Sequence, residues 1–266
     1  MRAPFGTTGA PTRSDPLVGD PGATQDRTTA RLVGGFYVLA TAAGIAAKVA
    51  EQPGLGASDH LATLALHDGR VVTGALLEML MGVAVAAVAI SFHPVLRRFR
   101  ERLALGYMIA RTVEGASIAF GAVGLLALVA ASRTASDGAG ALVVQRLGDL
   151  VLAQRDLTGQ VMAVGAFTIS AFIVYWVLFR TRLVPRWLSL WGFLAAVPFA
   201  IPAFTAAYGV VLSSTADILL NAPLGIQEMV LAGWLIVRGF DAEALHSAPA
   251  PSTRAAANPL VRTAVL

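Results

Sequence analysis

Six apolar segments dominate this chain: Leu32–Lys48, Val71–Phe92, Leu103–Ala131, Leu157–Phe179, Trp187–Leu212 and Ala222–Val237. Each is close to the ~20 residues a helix needs to cross a bilayer. The polar sequence between them is too thin to coat a soluble fold. Of 266 residues, 56% are hydrophobic and 14% charged, against ~25% charged in soluble domains. A backbone in hydrocarbon must satisfy its own hydrogen bonds, and long apolar runs do so as helices. The expected fold is therefore all-α: a polytopic membrane helical bundle of six transmembrane helices.

Glycines inside the runs, as in Gly82–Ile90 (GVAVAAVAI), suit a bundle because small residues let helix backbones approach closely. The third segment exceeds the hydrocarbon thickness and should tilt or project from it. The fifth carries Pro198 and Pro202 and should kink or break near its middle. Residues 1–30 and 241–266, rich in Pro, Ala, Thr and Gly, are expected as disordered tails flanking a six-helix domain over 31–240. Between the third and fourth segments, Val143, Val144, Leu147, Leu150 and Val151 recur at helical spacing. They predict either a helix on the outer interface or a continuation of the fourth span.

The cations set the expected orientation. Of 20 Lys and Arg, 14 fall in the N-terminal tail, the 93–102 loop, the 180–186 loop and the C-terminal tail. The opposite side holds Arg70, Arg133, Arg146 and Arg155, while Lys48 and Arg111 lie within spans. The positive-inside rule then places both termini in the cytoplasm and the chain in the cell membrane. A formal charge of +4 with no basic stripe gives no basis for nucleic-acid binding. Cysteine is absent, which excludes disulfides and thiolate chemistry. His60 and His67 lack the spacing of a metal pair, and no Walker, Rossmann or nucleophile-elbow motif occurs, so neither metal nor cofactor is expected.

Ionisable residues inside spans are the anomaly that bears on function, because each costs about 2.5–3.5 kcal/mol at a helix centre on insertion scales. Glu78, Arg111, Glu114 and Glu228 are reckoned, from helical rise, to lie at overlapping depths. Arg111 and Glu114, three apart, share a face and should pair; Tyr107 lies one turn away on that face and offers a hydroxyl. Arg111 and Glu114 are expected to face Glu228 across a helix–helix contact. One guanidinium cannot neutralise three carboxylates, so one carboxylate, expected to be Glu228, should keep its proton. These five residues form the expected proton or ligand cluster.

The segments Arg111-x-x-Glu114, Thr181-Arg-Leu-Val-Pro185-Arg186-Trp-Leu188 with Gly192, and Glu228 followed by Trp234-Leu235 and Gly239 resemble a bacterial integral-membrane family, domain of unknown function 4386. The resemblance spans residues 31–240 and departs from the family only mildly, with Thr181 where Ser is usual. It implies a multi-pass membrane protein and no particular chemistry. Three functions fit the residues. One is a site for a proton or a small apolar or cationic ligand, working alone, as an oligomer or with a partner subunit in the lipid bilayer. Another is an enzyme using a buried glutamate as general acid on an isoprenoid-like substrate. The last is a structural or accessory subunit in which the charges only hold helices together.

Overall fold

The computed structural model describes residues 21–55, 60–134, 139–210 and 212–248. These form helices and no strand. The helices are α1 (Pro21–Leu55), α2 (His60–Leu96), α3 (Glu101–Thr134), α4 (Ala139–Asp156), α5 (Val164–Thr181), α6 (Arg186–Ala207), α7 (Ser214–Val237) and the short α8 (Ala242–His246). One π-helical stretch, Leu157–Ala163, joins α4 to α5. Six helices are long and apolar enough to cross a membrane, the fourth running from Gln145 through the π-helical stretch to Thr181. The chain is a multi-pass membrane protein, as its hydropathy predicts.

The six spans close into a ring in chain order. α1 packs on α2, α2 on α3, α3 on α5, α5 on α6, α6 on α7, and α7 returns to α1. Small residues set the closest approaches. A Cβ on Gly82 would lie 2.7 Å from the Gly115 carbonyl oxygen, so α2 and α3 touch backbone to backbone. A Cβ on Gly34 would lie 2.6 Å from the Ala232 carbonyl oxygen, which gives α1 and α7 the same intimacy. Val83, Ile90, Ile109, Phe120 and Ile169 are exposed, as side chains against lipid should be.

Half of the ring is filled. Phe92, Tyr107, Tyr175, Leu178, Leu188, Leu224, Leu231 and Leu235 form one core with essentially no exposure, towards the end of the bundle that carries Arg98. Asp26 of α1 pairs there with Arg98, so α1 begins at the end where α2 turns into α3. Towards the opposite end, which carries Arg133 and Arg155, the ring is open inside.

Several boundaries differ from expectation. Residues 21–30, expected in the tail, are the first turns of α1, and Asp26 and Ala30 are buried. Asp241 of the expected C-terminal tail donates its N–H to the Leu183 carbonyl at 2.9 Å and N-caps α8, whose Ala244 is buried. The rest of both expected tails, 1–20 and 249–266, lies outside the described residues. Between the third and fourth spans, the second of the two expected alternatives holds: α4 continues into the fourth span. α6 runs unbroken through Pro198 and Pro202. His67 lies within α2, at a non-helical turn of its backbone (φ −124°, ψ 20°); the side chain of His60 is outside the described residues.

Candidate functional site

The open half of the ring is a cavity of about 630 Å³, within the range of small-molecule sites. Two charged layers line it. In the deeper layer, Arg111 Nη1 donates to Glu114 Oε2 at 3.0 Å, one helical turn away on α3. Both residues are buried, and the Arg111 guanidinium lies over the rings of Tyr37 (5.5 Å) and Phe167 (5.2 Å). Those aromatic faces offset part of the cost of burying a cation. Arg111 Nε has no hydrogen-bond partner among the described residues.

Glu228 enters the same cavity from α7. Its carboxylate makes no ion pair or hydrogen bond among the described residues, although the Arg111 charge acts on it. Its neighbour fixes where it points. Gln227, fully buried, accepts from the Tyr175 hydroxyl at 2.6 Å and donates to the Leu188 carbonyl at 3.1 Å, locking α5, α6 and α7 together. Gly192 makes that lock possible, since a Cβ there would lie 2.5 Å from the Tyr175 ring.

The second layer lies nearer the open end. Arg155, on the last turn of α4, donates through Nη2 to Glu51 of α1 and to Glu78 of α2, each at 2.5 Å. One guanidinium nitrogen thus joins three helices. Glu51 Oε1 and Arg155 Nε are buried with no partner among the described residues. The π-helical turn follows immediately, with Thr158, Gly159 and Gln160 on the cavity wall; such wide turns recur where a helix is locally shaped for function. Asp217 and Asn221 of α7, hydrogen-bonded at 2.9 Å, complete the wall at this level.

Of the expected cluster, Glu78, Arg111, Glu114 and Glu228 all line one cavity, but not as a single constellation. Glu78 belongs to the outer layer with Arg155. Glu228 makes no ion pair with Arg111, and α3 and α7 are not packed neighbours in the ring; both residues line the cavity, where the Arg111 charge acts on Glu228. Tyr107 is withdrawn into the core, its hydroxyl 3.4 Å from that of Tyr37, and Tyr37 takes its place against Arg111.

Sequence reasoning overlooked Glu51 and Arg155. Glu51 follows Lys48 by three residues on a helix that outlasts its apolar run, and Arg155 stood in the segment left open between an interfacial helix and a continued span. The helical spacing of Val143–Val151 was the available signal, because a continued fourth span brings Arg155 inward. The charge excess survives this correction: four glutamates now face two arginines, with Lys48 exposed at the rim. Among the described residues no cluster of His, Cys, Asp and Glu could hold a metal ion.

No curated protein and no solved structure matches this chain. A family model does match it, over residues 32–239, a span that takes in both charged layers and, apart from the first turns of α1, the six membrane helices. The chain belongs to the family described as Domain of unknown function (DUF4386).

Proposed function

We propose that the protein lies in the cell membrane with both termini in the cytoplasm, and that its cavity binds a small cation in exchange for a proton on Glu228. One observation carries this: Glu228 is the one cavity glutamate, among the described residues, with neither an ion pair nor a hydrogen bond. Charge balance supports it. With Glu114 matched by Arg111, and Arg155 shared by two carboxylates, full ionisation of the four glutamates exceeds the two arginines by two negative charges. A proton or a bound cation on Glu228 relieves one of them. Tyr37, Phe167 and Phe199 add aromatic surface of the sort organic cations favour.

The cavity that Glu228 enters is also lined by Arg111, Glu114, Asp217 and Asn221. An enzyme protonating an isoprenoid-like substrate wants an apolar, water-free pocket next to its acid, so this wall favours binding over that chemistry.

Infrared titration of the purified protein between about pH 5 and pH 9, where a perturbed carboxyl would change state, tests the proton. A protonated-carboxyl band should fade as pH rises and be missing from Glu228→Gln. A band absent throughout, or unchanged in that variant, removes the proton from the proposal. Orientation is tested separately in a chain that has no cysteine of its own. Thiol reagents outside intact cells should label Ala65→Cys and Gly140→Cys but not Arg97→Cys or Ala250→Cys. Labelling of Arg97→Cys from outside would reverse the topology.

A further inference from the structure

Two stretches within the segments that carry the family resemblance, Thr181–Leu188 and Trp234–Gly239, lie outside the cavity that Glu228 enters. They meet instead at the Arg98 end, as the two walls of a second pocket of about 610 Å³. Both walls are rigid chain reversals. Arg182 caps α5 in the left-handed conformation (φ 58°), with its N–H on the Leu178 carbonyl at 3.0 Å. Gly239 ends α7 at φ 76°. The Asp241 N–H to Leu183 carbonyl bond, 2.9 Å, ties one reversal to the other. Leu183 and Val184 are buried beneath, and Phe240 stacks on Phe92 at 5.4 Å.

On this platform stand Arg182, Arg186 and Arg238, none ion-paired among the described residues. Arg186 lies over Phe179 (5.2 Å) and Arg238 over Trp234 (5.8 Å). Those contacts hold the guanidinium planes while leaving their N–H groups free to donate. The pocket's acidic residue, Asp241, is occupied in capping Ala244. Pro185 and Arg186 also bring the first turn of α6, the positive end of its dipole, to the pocket.

All four tryptophans, at 176, 187, 191 and 234, sit in the turns of α5, α6 and α7 near this end. Such a belt marks the membrane–water interface. Beside the pocket, Trp187, Leu190 and Val237 are exposed apolar side chains.

We infer that this pocket is a binding site for an anionic phospholipid of the leaflet at the Arg98 end, its phosphate held by Arg182, Arg186 and Arg238 and its acyl chains lying along α6 and α7. Forked guanidinium donors suit phosphate oxygens. The exposed apolar surface continuous with the pocket favours a lipid over free phosphate.

Native mass spectrometry of the full chain in detergent, titrated with phosphatidylglycerol, phosphatidylcholine or inorganic phosphate, tests it. One phosphatidylglycerol should bind most tightly, and Arg186→Gln/Arg238→Gln should weaken it by at least about tenfold, the equivalent of ~1.4 kcal/mol. Arg97→Gln/Arg100→Gln, which removes the same charge from the same end, should leave binding within about twofold of the parent, an effect under ~0.5 kcal/mol. Equal weakening by both variants would mean diffuse charge attraction and overturn the site. Phosphatidylcholine binding as tightly as phosphatidylglycerol, or inorganic phosphate displacing it at equal concentration, would overturn the lipid assignment. The outcome is independent of the cavity and of Glu228.

Discussion

Arg155→Ala should be the most damaging single charge removal in the chain. Its Nη2 is the shared donor to Glu51 and Glu78, so its loss strands two carboxylates rather than one. Glu51 is 4% exposed and cannot turn to water. Breaking a buried pair from one side costs about 3–5 kcal/mol, because the remaining charge stays desolvated. Arg155 and Glu78 side chains are 19% and 18% exposed to the cavity, which screens part of that cost. We therefore expect the low end, about 3 kcal/mol, seen as a melting temperature lower by about 6–12 °C in detergent. Arg155→Gln/Glu51→Gln/Glu78→Gln, which removes the charges together, should recover most of the loss, since a neutral polar triad carries no stranded ion. A single variant melting within about 2 °C of the parent would mean that the cavity solvates both glutamates and that the bridge does not tie α1, α2 and α4 together.

That bridge also marks where sequence stops being informative. Hydropathy located all six spans, because each apolar run reports the solvent around a helix directly. Helical spacing found the Arg111–Glu114 pair for an equally direct reason: three residues apart on one helix fixes both height and face. Rise per residue gave the depths of Glu78 and Glu228, but depth says nothing of azimuth. Which neighbour a helix face meets depends on ring order, and ring order depends on close approaches such as Gly82 on Gly115 and Gly34 on Ala232. So Glu78, placed by rise at a depth overlapping that of Arg111, turns out to lie with Arg155. Arg155 was hidden by averaging: its apolar neighbours are interleaved with Gln145, Arg146 and Asp149, which left an interfacial helix as open as a continued span. Tyr37 was hidden for another reason. A tyrosine in an apolar run is ordinary core until the charge stacked on its ring is known.

Glycine substitutions at the α2–α3 crossing should show an effect opposite in sign to the same change elsewhere. Gly→Ala in a helix interior is favoured by about 0.5–1 kcal/mol, because alanine loses less backbone entropy on folding. At Gly35 of α1, where an added Cβ meets nothing within 4 Å, that gain should stand, and Gly35→Ala should melt at or above the parent temperature. At Gly115 an added Cβ would lie 2.5 Å from the Gly82 carbonyl oxygen, and backbone cannot rotate aside as a side chain can. The helices must separate, and a larger residue forces them further; overpacking of this sort costs about 1–3 kcal/mol even where side chains can adjust. Gly115→Ala should therefore lower the melting temperature, and Gly115→Leu should abolish a folded, monodisperse protein in detergent. The consequence reaches the site, because Glu114 adjoins this crossing and Glu78 lies one turn before Gly82 on the facing helix. Spreading α2 from α3 moves the Arg111–Glu114 pair away from the Arg155–Glu78 bridge and widens the space that Glu228 faces. In Gly115→Ala, infrared titration should find the Glu228 carboxyl band shifted while the fold persists. If Gly115→Ala and Gly35→Ala change the melting temperature alike, the crossing is not a tight backbone contact, and the spacing of the two charged layers must be set elsewhere.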